Sequence, residues 1–141
     1  MPDRERLRRH LLALMSHVEQ LKTNLPVTQD GLRQNPDLRW ILERGIYLCI
    51  QNLLDSFSHI VSADFNEQWD TYADVAALIQ KHNLITKEQE MLLTKMIGVR
   101  NRLSHDYMNL DNDVLSKVVN TNLDDFMTFA EIISRYTGLK F

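Results

Sequence analysis

The stretch from Met96 to Tyr107 brings together Arg100, Asn101, His105 and Tyr107, a dense group of side chains able to do chemistry. An arginine suits a phosphate, because its planar fork donates two hydrogen bonds and always carries charge. A histidine suits proton transfer, because imidazole titrates near neutrality. Asn101 can orient either a phosphate or the imidazole. Together these groups fit metal-free cleavage of a ribose-phosphate strand. A base removes the 2′-hydroxyl proton, the oxygen attacks phosphorus, and an acid protonates the leaving oxygen. Donors aimed at the charge that collects on phosphate contribute about 10²–10³ in rate. The plainer alternative is a salt-bridged Arg100 and a capping His105 that tie down a helix end.

Geometry limits the first reading. Leu92, Leu93, Met96 and Ile97 recur as the buried face of a helix does. On an ideal helix Arg100 and Tyr107 share a face, about two turns apart, and His105 lies roughly 140° around from Arg100. Arg100 and His105 therefore converge only if the helix bends or ends near Ser104, or if a second chain brings its own copy alongside.

The elements that must position this group read as helices. Asp3 can cap a first helix with a stripe of Leu7, Leu11, Leu14, Met15, Val18 and Leu21, ending near Asn24 before Pro26. Residues 27–34 form a short turn or a helical connector. Asn35-Pro36 is a helix start, with Asn as cap and Pro in the first turn. The helix that follows, to about Ser62, is apolar over well over half its circumference, from Leu38 and Ile41 to Val61. Its polar residues Arg44, Gln51 and Asp55 share one stripe and need partners. They form either an internal polar network or dimer contact, or a layer that helps position Arg100 and His105. Residues 64–70 read as a loop. Thr71 with Asp74, and Thr86 with Gln89, mark two further helix starts, and Asn83 suits a left-handed helix end. Asp111 or Asn112 caps a last helix running to Gly138. The fold expected is all-α, an antiparallel up-and-down bundle of four or five helices, in a single domain over residues 1–141.

A net charge of −3 excludes coating nucleic acid by bulk charge, so any such contact must come from a local basic patch. The segment from Lys95 to His105 is one candidate. Arg4, Arg6, Arg8 and Arg9 are another, read more simply as a solvated helix start. The single cysteine, Cys49, sits in an apolar helix and reads as a buried, inert thiol. Asp111 and Asp113 fit helix capping better than metal ligation, so neither metal nor cofactor is expected. With no signal-peptide pattern and no run of ~18 apolar residues, a soluble cytoplasmic protein without membrane association is expected.

Arg100-Asn101, His105 and Tyr107 resemble the R-x4-H-x-Y motif of the HepT-like toxins of the HEPN superfamily. The resemblance extends to Glu43-Arg44-Gly45-Ile46 and to Gln51-Asn52-Leu53-Leu54-Asp55, which look like that family's "ER-x-L…Q…LD" helix. It also covers the order short helix, turn, helix, motif, and so most of the chain from about Leu38. It implies a metal-independent ribonuclease toxin acting on mRNA or tRNA, with Arg100, His105 and Asn101 catalytic. It further implies a homodimer whose two motifs face one cleft, and a partner nucleotidyltransferase antitoxin of the MNT type that transfers AMP to Tyr107. Phosphate added there would compete for Arg100 and obstruct RNA. Read without the resemblance, Tyr107 is a phenol anchoring a turn. HEPN relatives also include non-catalytic subunits that bind nucleotide or dock onto a nucleotidyltransferase, which the acidic net charge favours.

Overall fold

The computed structural model describes residues 3–105 and 110–140, which contain seven α-helices. They are α1 (Arg4–Lys22), α2 (Gln29–Gln34), α3 (Pro36–Ala63), α4 (Tyr72–Lys81), α5 (Lys87–Leu103), α6 (Asn112–Thr121) and α7 (Leu123–Thr137). The all-α class expected from the sequence is what forms.

Local signals start most of these helices where the sequence places them. Asp3, Thr28, Asn35, Thr71, Thr86 and Asp111 each accept a hydrogen bond from a backbone N–H of the first turn. Thr71/Asp74 and Thr86/Gln89 are reciprocal capping boxes. After α4, Asn83 adopts φ 63°. Its N–H bonds to Gln80 O, and Leu84 N–H bonds to Ile79 O, so the orphaned carbonyls of that helix end are satisfied. At the other end of the chain Gly138, at φ 72°, terminates α7.

α3 is the axle, packing against every other helix. Leu42, Ile46, Cys49, Ile50, Leu53, Leu54, Phe57, Ile60 and Val61 are all buried along it. Centrality therefore explains most of its apolar excess. α1 lies closest, because Gly45 has no side chain to hold it off: a Cβ there would stand 2.7 Å from Leu21 Cδ2. Leu7, Leu11, Leu14, Val18 and Leu21 complete that contact. Cys49 is fully buried, and desolvation pushes its thiol up to about 12, so it is inert at neutral pH.

One element settles an alternative and two details differ from the sequence reading. Of the two forms open to the connector at 27–34, the helical one is what forms, as the short helix α2. Ile41 is 48% exposed beside Trp40 at 79%, because the α3 face that enters the core starts one position later, at Leu42. The expected last helix is two, broken at Asn122 (φ −110°, ψ 2°). There Thr121 Oγ1 donates to Lys117 O, and Asn122 Nδ2 donates to Asp125 Oδ2. Such local side-chain bonds compete with a continuous helical ladder. The amino-terminal arginines are exposed, yet Arg4 does structural work by donating from Nη1 to Thr137 O (2.6 Å) at the end of α7.

Candidate active site

α5 ends where convergence of Arg100 and His105 requires it to end. Leu103 is its last residue, and Ser104 caps it by donating its N–H to Arg100 O (3.0 Å). Ser104 Oγ also bonds to Asn101 O (2.8 Å), tightening the last turn. His105 follows immediately, exposed, with its N–H directed at Arg102 O. Tyr107 lies outside the described residues. Beyond it, Leu110 is buried, and Arg39 of α3 grips its carbonyl and the Asn112 side chain, which anchors the segment entering α6.

Arg100 is half-buried and held on three sides by groups that carry no charge. Its Nε donates to Gln51 Oε1 of α3 (3.0 Å), and Nη1 donates to Asn101 Oδ1 (3.1 Å). The guanidinium lies over two rings, 5.6 Å from the Tyr47 centroid and 5.2 Å from that of Tyr72. Among the described residues no carboxylate pairs with it.

Gln51 is itself fixed. Its amide nitrogen donates to Asp55 Oδ1 (2.9 Å) and to Tyr72 Oη (3.0 Å), which leaves the amide oxygen facing Arg100. Flipping the amide would set its NH₂ against the guanidinium and lose both donor bonds. Asp55, Gln51, Arg100 and Asn101 thus form one string across α3 and α5, with Tyr72 of α4 closing it. Trp69 stacks on Tyr72, with centroids 5.6 Å apart, and steadies that ring.

The structure therefore brings Gln51, Asp55, Arg100 and Asn101 together. Arg44 is not in the string. It is exposed and lies over Tyr47 at 5.6 Å, and among the described residues it is linked to Arg100 through that shared ring. Sequence reasoning missed both tyrosines. Tyr47 had a signal, being one turn from Arg44 and one turn from Gln51 on the polar stripe. Tyr72 had none, since its role depends on how α4 docks. Asp111 caps α6, and Asp113 accepts from Gln29 Nε2 (3.1 Å), so both have structural employment. Among the described residues no three His, Cys, Asp or Glu side chains gather where they could hold a metal, and no helix is long and apolar enough to cross a membrane.

Chemically, this arrangement offers a guanidinium that no carboxylate among the described residues pairs with, and an exposed imidazole one residue past the cap of the same helix.

Comparison with known proteins supplies the context. The family model described as "Ribonuclease HepT-like" matches residues 14–133, which include both Arg100 and His105. The mRNA nuclease HepT of Shewanella oneidensis is 33% identical over 85 residues, 60% of this chain and 64% of that protein, so just under two thirds of it is spanned. The tRNA nuclease HepT of Aphanizomenon flos-aquae is 24% identical over 122 residues, 85% of this chain and 82% of that protein. A chain of the solved complex of tri-AMPylated Shewanella oneidensis HEPN toxin with MNT antitoxin superposes with a TM-score of 0.85. It is 22% identical and covers 94% of this chain and 99% of that one, a likeness of fold.

Proposed function

The chain belongs to the HepT-like ribonuclease family, and from that premise we propose that it is a metal-independent endoribonuclease, the toxin of a HEPN/MNT toxin–antitoxin pair. The observation that carries this reading is Arg100, held by a neutral amide and two rings at the end of α5 with His105 one residue past the cap. Arg100 binds the scissile phosphate and neutralises the charge that builds on its oxygens. His105 moves the proton, either from the 2′-hydroxyl or to the leaving oxygen. Asn101 holds Arg100 and turns its own amide donors toward the phosphate. Asp55 and Gln51 set the azimuth of the guanidinium.

A single imidazole performs one proton transfer at a time. A homodimer with two motifs facing one cleft supplies the second, and Trp40 and Ile41 leave an exposed apolar surface on α3 consistent with such a contact. The substrate is cellular RNA, mRNA or tRNA, and the site of action is the cytoplasm. The neutralising partner is an MNT-type nucleotidyltransferase that adds AMP to Tyr107, placing phosphate in competition with RNA for Arg100.

The decisive experiment is digestion of RNA in EDTA by wild type and by His105→Ala, with product ends mapped. Cleavage by wild type leaving a 2′,3′-cyclic phosphate, and loss of it in the variant, is expected. A fully active His105→Ala protein defeats the assignment. Absence of AMP on Tyr107 after incubation with the cognate nucleotidyltransferase and ATP defeats the modification. The reading of a non-catalytic nucleotide-binding or docking subunit, favoured only by the net charge of −3, is left standing if wild type binds ATP and releases no RNA product.

A further inference from the structure

Arg44 is the member of the α3 polar stripe that the catalytic string does not use. Its side chain is exposed and, among the described residues, makes no hydrogen bond or ion pair. What it does make is a contact with the Tyr47 ring, the same ring that carries Arg100. Both guanidinium carbons lie 5.6 Å from that ring's centroid, so they are within twice that distance of each other. No other described arginine shares a ring with Arg100.

A guanidinium laid on a tyrosine is restrained in position while its N–H donors stay available at its edge. Two other arginines of the molecule are spent differently. Arg39 pairs with Glu43, and Arg135 with Glu131. Arg44 instead keeps its charge, as Arg100 does, and projects it from the same patch one turn before Tyr47 on α3. Two guanidiniums with no carboxylate partner among the described residues, no further apart than twice 5.6 Å, can reach neighbouring phosphates of one strand.

Resting on the nuclease reading above, we propose that Arg44 is a phosphate-binding residue of the RNA track, gripping the backbone next to the scissile linkage. It contributes affinity and sets the register of the strand over Arg100. It takes no part in the bond-breaking step, and Tyr47 is the spacer that fixes the interval between the two phosphates.

The test uses full-length His105→Ala protein, which leaves RNA intact, and a short labelled single-stranded RNA titrated across a range of salt. Arg44→Gln in that background weakens binding about tenfold, the value of a charged hydrogen bond. It also makes the dependence of log affinity on log salt shallower by ~0.7, one phosphate contact on a single strand. Arg44→Lys keeps the slope, since the charge remains. If Arg44→Gln changes neither affinity nor slope while Arg100→Ala changes both, this proposal falls and the nuclease reading stands. If Arg100→Ala is silent as well, both fall. Sedimentation of the same samples covers the other role open to an exposed arginine. A change in mass with an unchanged salt slope makes Arg44 a contact between copies and overturns the proposal.

Discussion

Two corners of this bundle combine charge with aromatic rings, and they are built on opposite plans. At the segment joining α3 to α4, the carboxylates are met by donors within the fold. Glu67 meets Lys81 at 3.1 Å and His82 at 2.7 Å, His82 stacks on Phe65 with centroids 3.9 Å apart, and Tyr136 donates to Asp64 at 2.6 Å. At the end of α5, Arg100 is surrounded just as closely, yet by an amide, a second amide and two phenol rings. Opposite charges brought together tie down a loop and leave little field outside. Neutral partners fix a guanidinium equally well in space and leave its charge to be met by something else. Under the proposed function, in which Arg100 meets phosphate, the second plan is the one that works.

The contrast is broken most directly at the motif. Arg100→Ala and His105→Ala should each lower RNA cleavage in EDTA by about 10²–10³ or more. Thermal stability should stay near wild type, because His105 is exposed and Arg100 only half-buried. A large drop in melting temperature for either would mean that these groups hold the fold together as the charges near Glu67 do.

A subtler change converts one plan into the other. Gln51→Glu places a carboxylate where Arg100 Nε now meets an amide oxygen. The new ion pair, at about 1 kcal/mol for a partly exposed site, competes with phosphate, so KM should rise roughly fivefold with kcat less affected. Stability should fall, because the same change sets a carboxylate oxygen where Gln51 now donates to Asp55 Oδ1. An unchanged KM would show that compensation of charge is not what separates the two corners.

Sequence carried the helices well, because their starts are local events. Thr71, Thr86 and Asn35 satisfy backbone donors within their own first turns, and the buried stripe of α3 is periodic. It failed at Asn122, where weak helix formers and side-chain bonds outweigh a continuing apolar stripe. At the site, spacing alone grouped Arg44, Gln51 and Asp55, but only packing separates them. Gln51 faces Arg100 across two helices, whereas Arg44 looks outward. The seat of Arg100 on Tyr72 required α4 to dock against α3, a contact between residues far apart in sequence that no local pattern encodes.

The smallest effects belong to the compensated corner, and their sign is set by titration. Hydrogen bonds from His82 and then Lys81 hold Glu67 below the usual carboxylate range. Its contribution to stability is therefore present above the range of an unfolded glutamate and is lost as pH falls through the lower, folded value. Tyr136 moves the other way, pushed up to about 12 by partial burial and then by its bond to Asp64. Its contribution is complete below the ordinary tyrosine value near ~10 and fades as pH climbs toward the folded one. Melting curves of Glu67→Gln should thus differ from wild type at neutral pH and converge with it in acid. Those of Tyr136→Phe should converge only in strong base. Neither substitution should alter RNA cleavage at neutral pH. If Glu67→Gln slows the reaction, the segment joining α3 to α4 touches RNA, and a corner whose charges are satisfied within the fold is still not isolated from the chemistry at the end of α5.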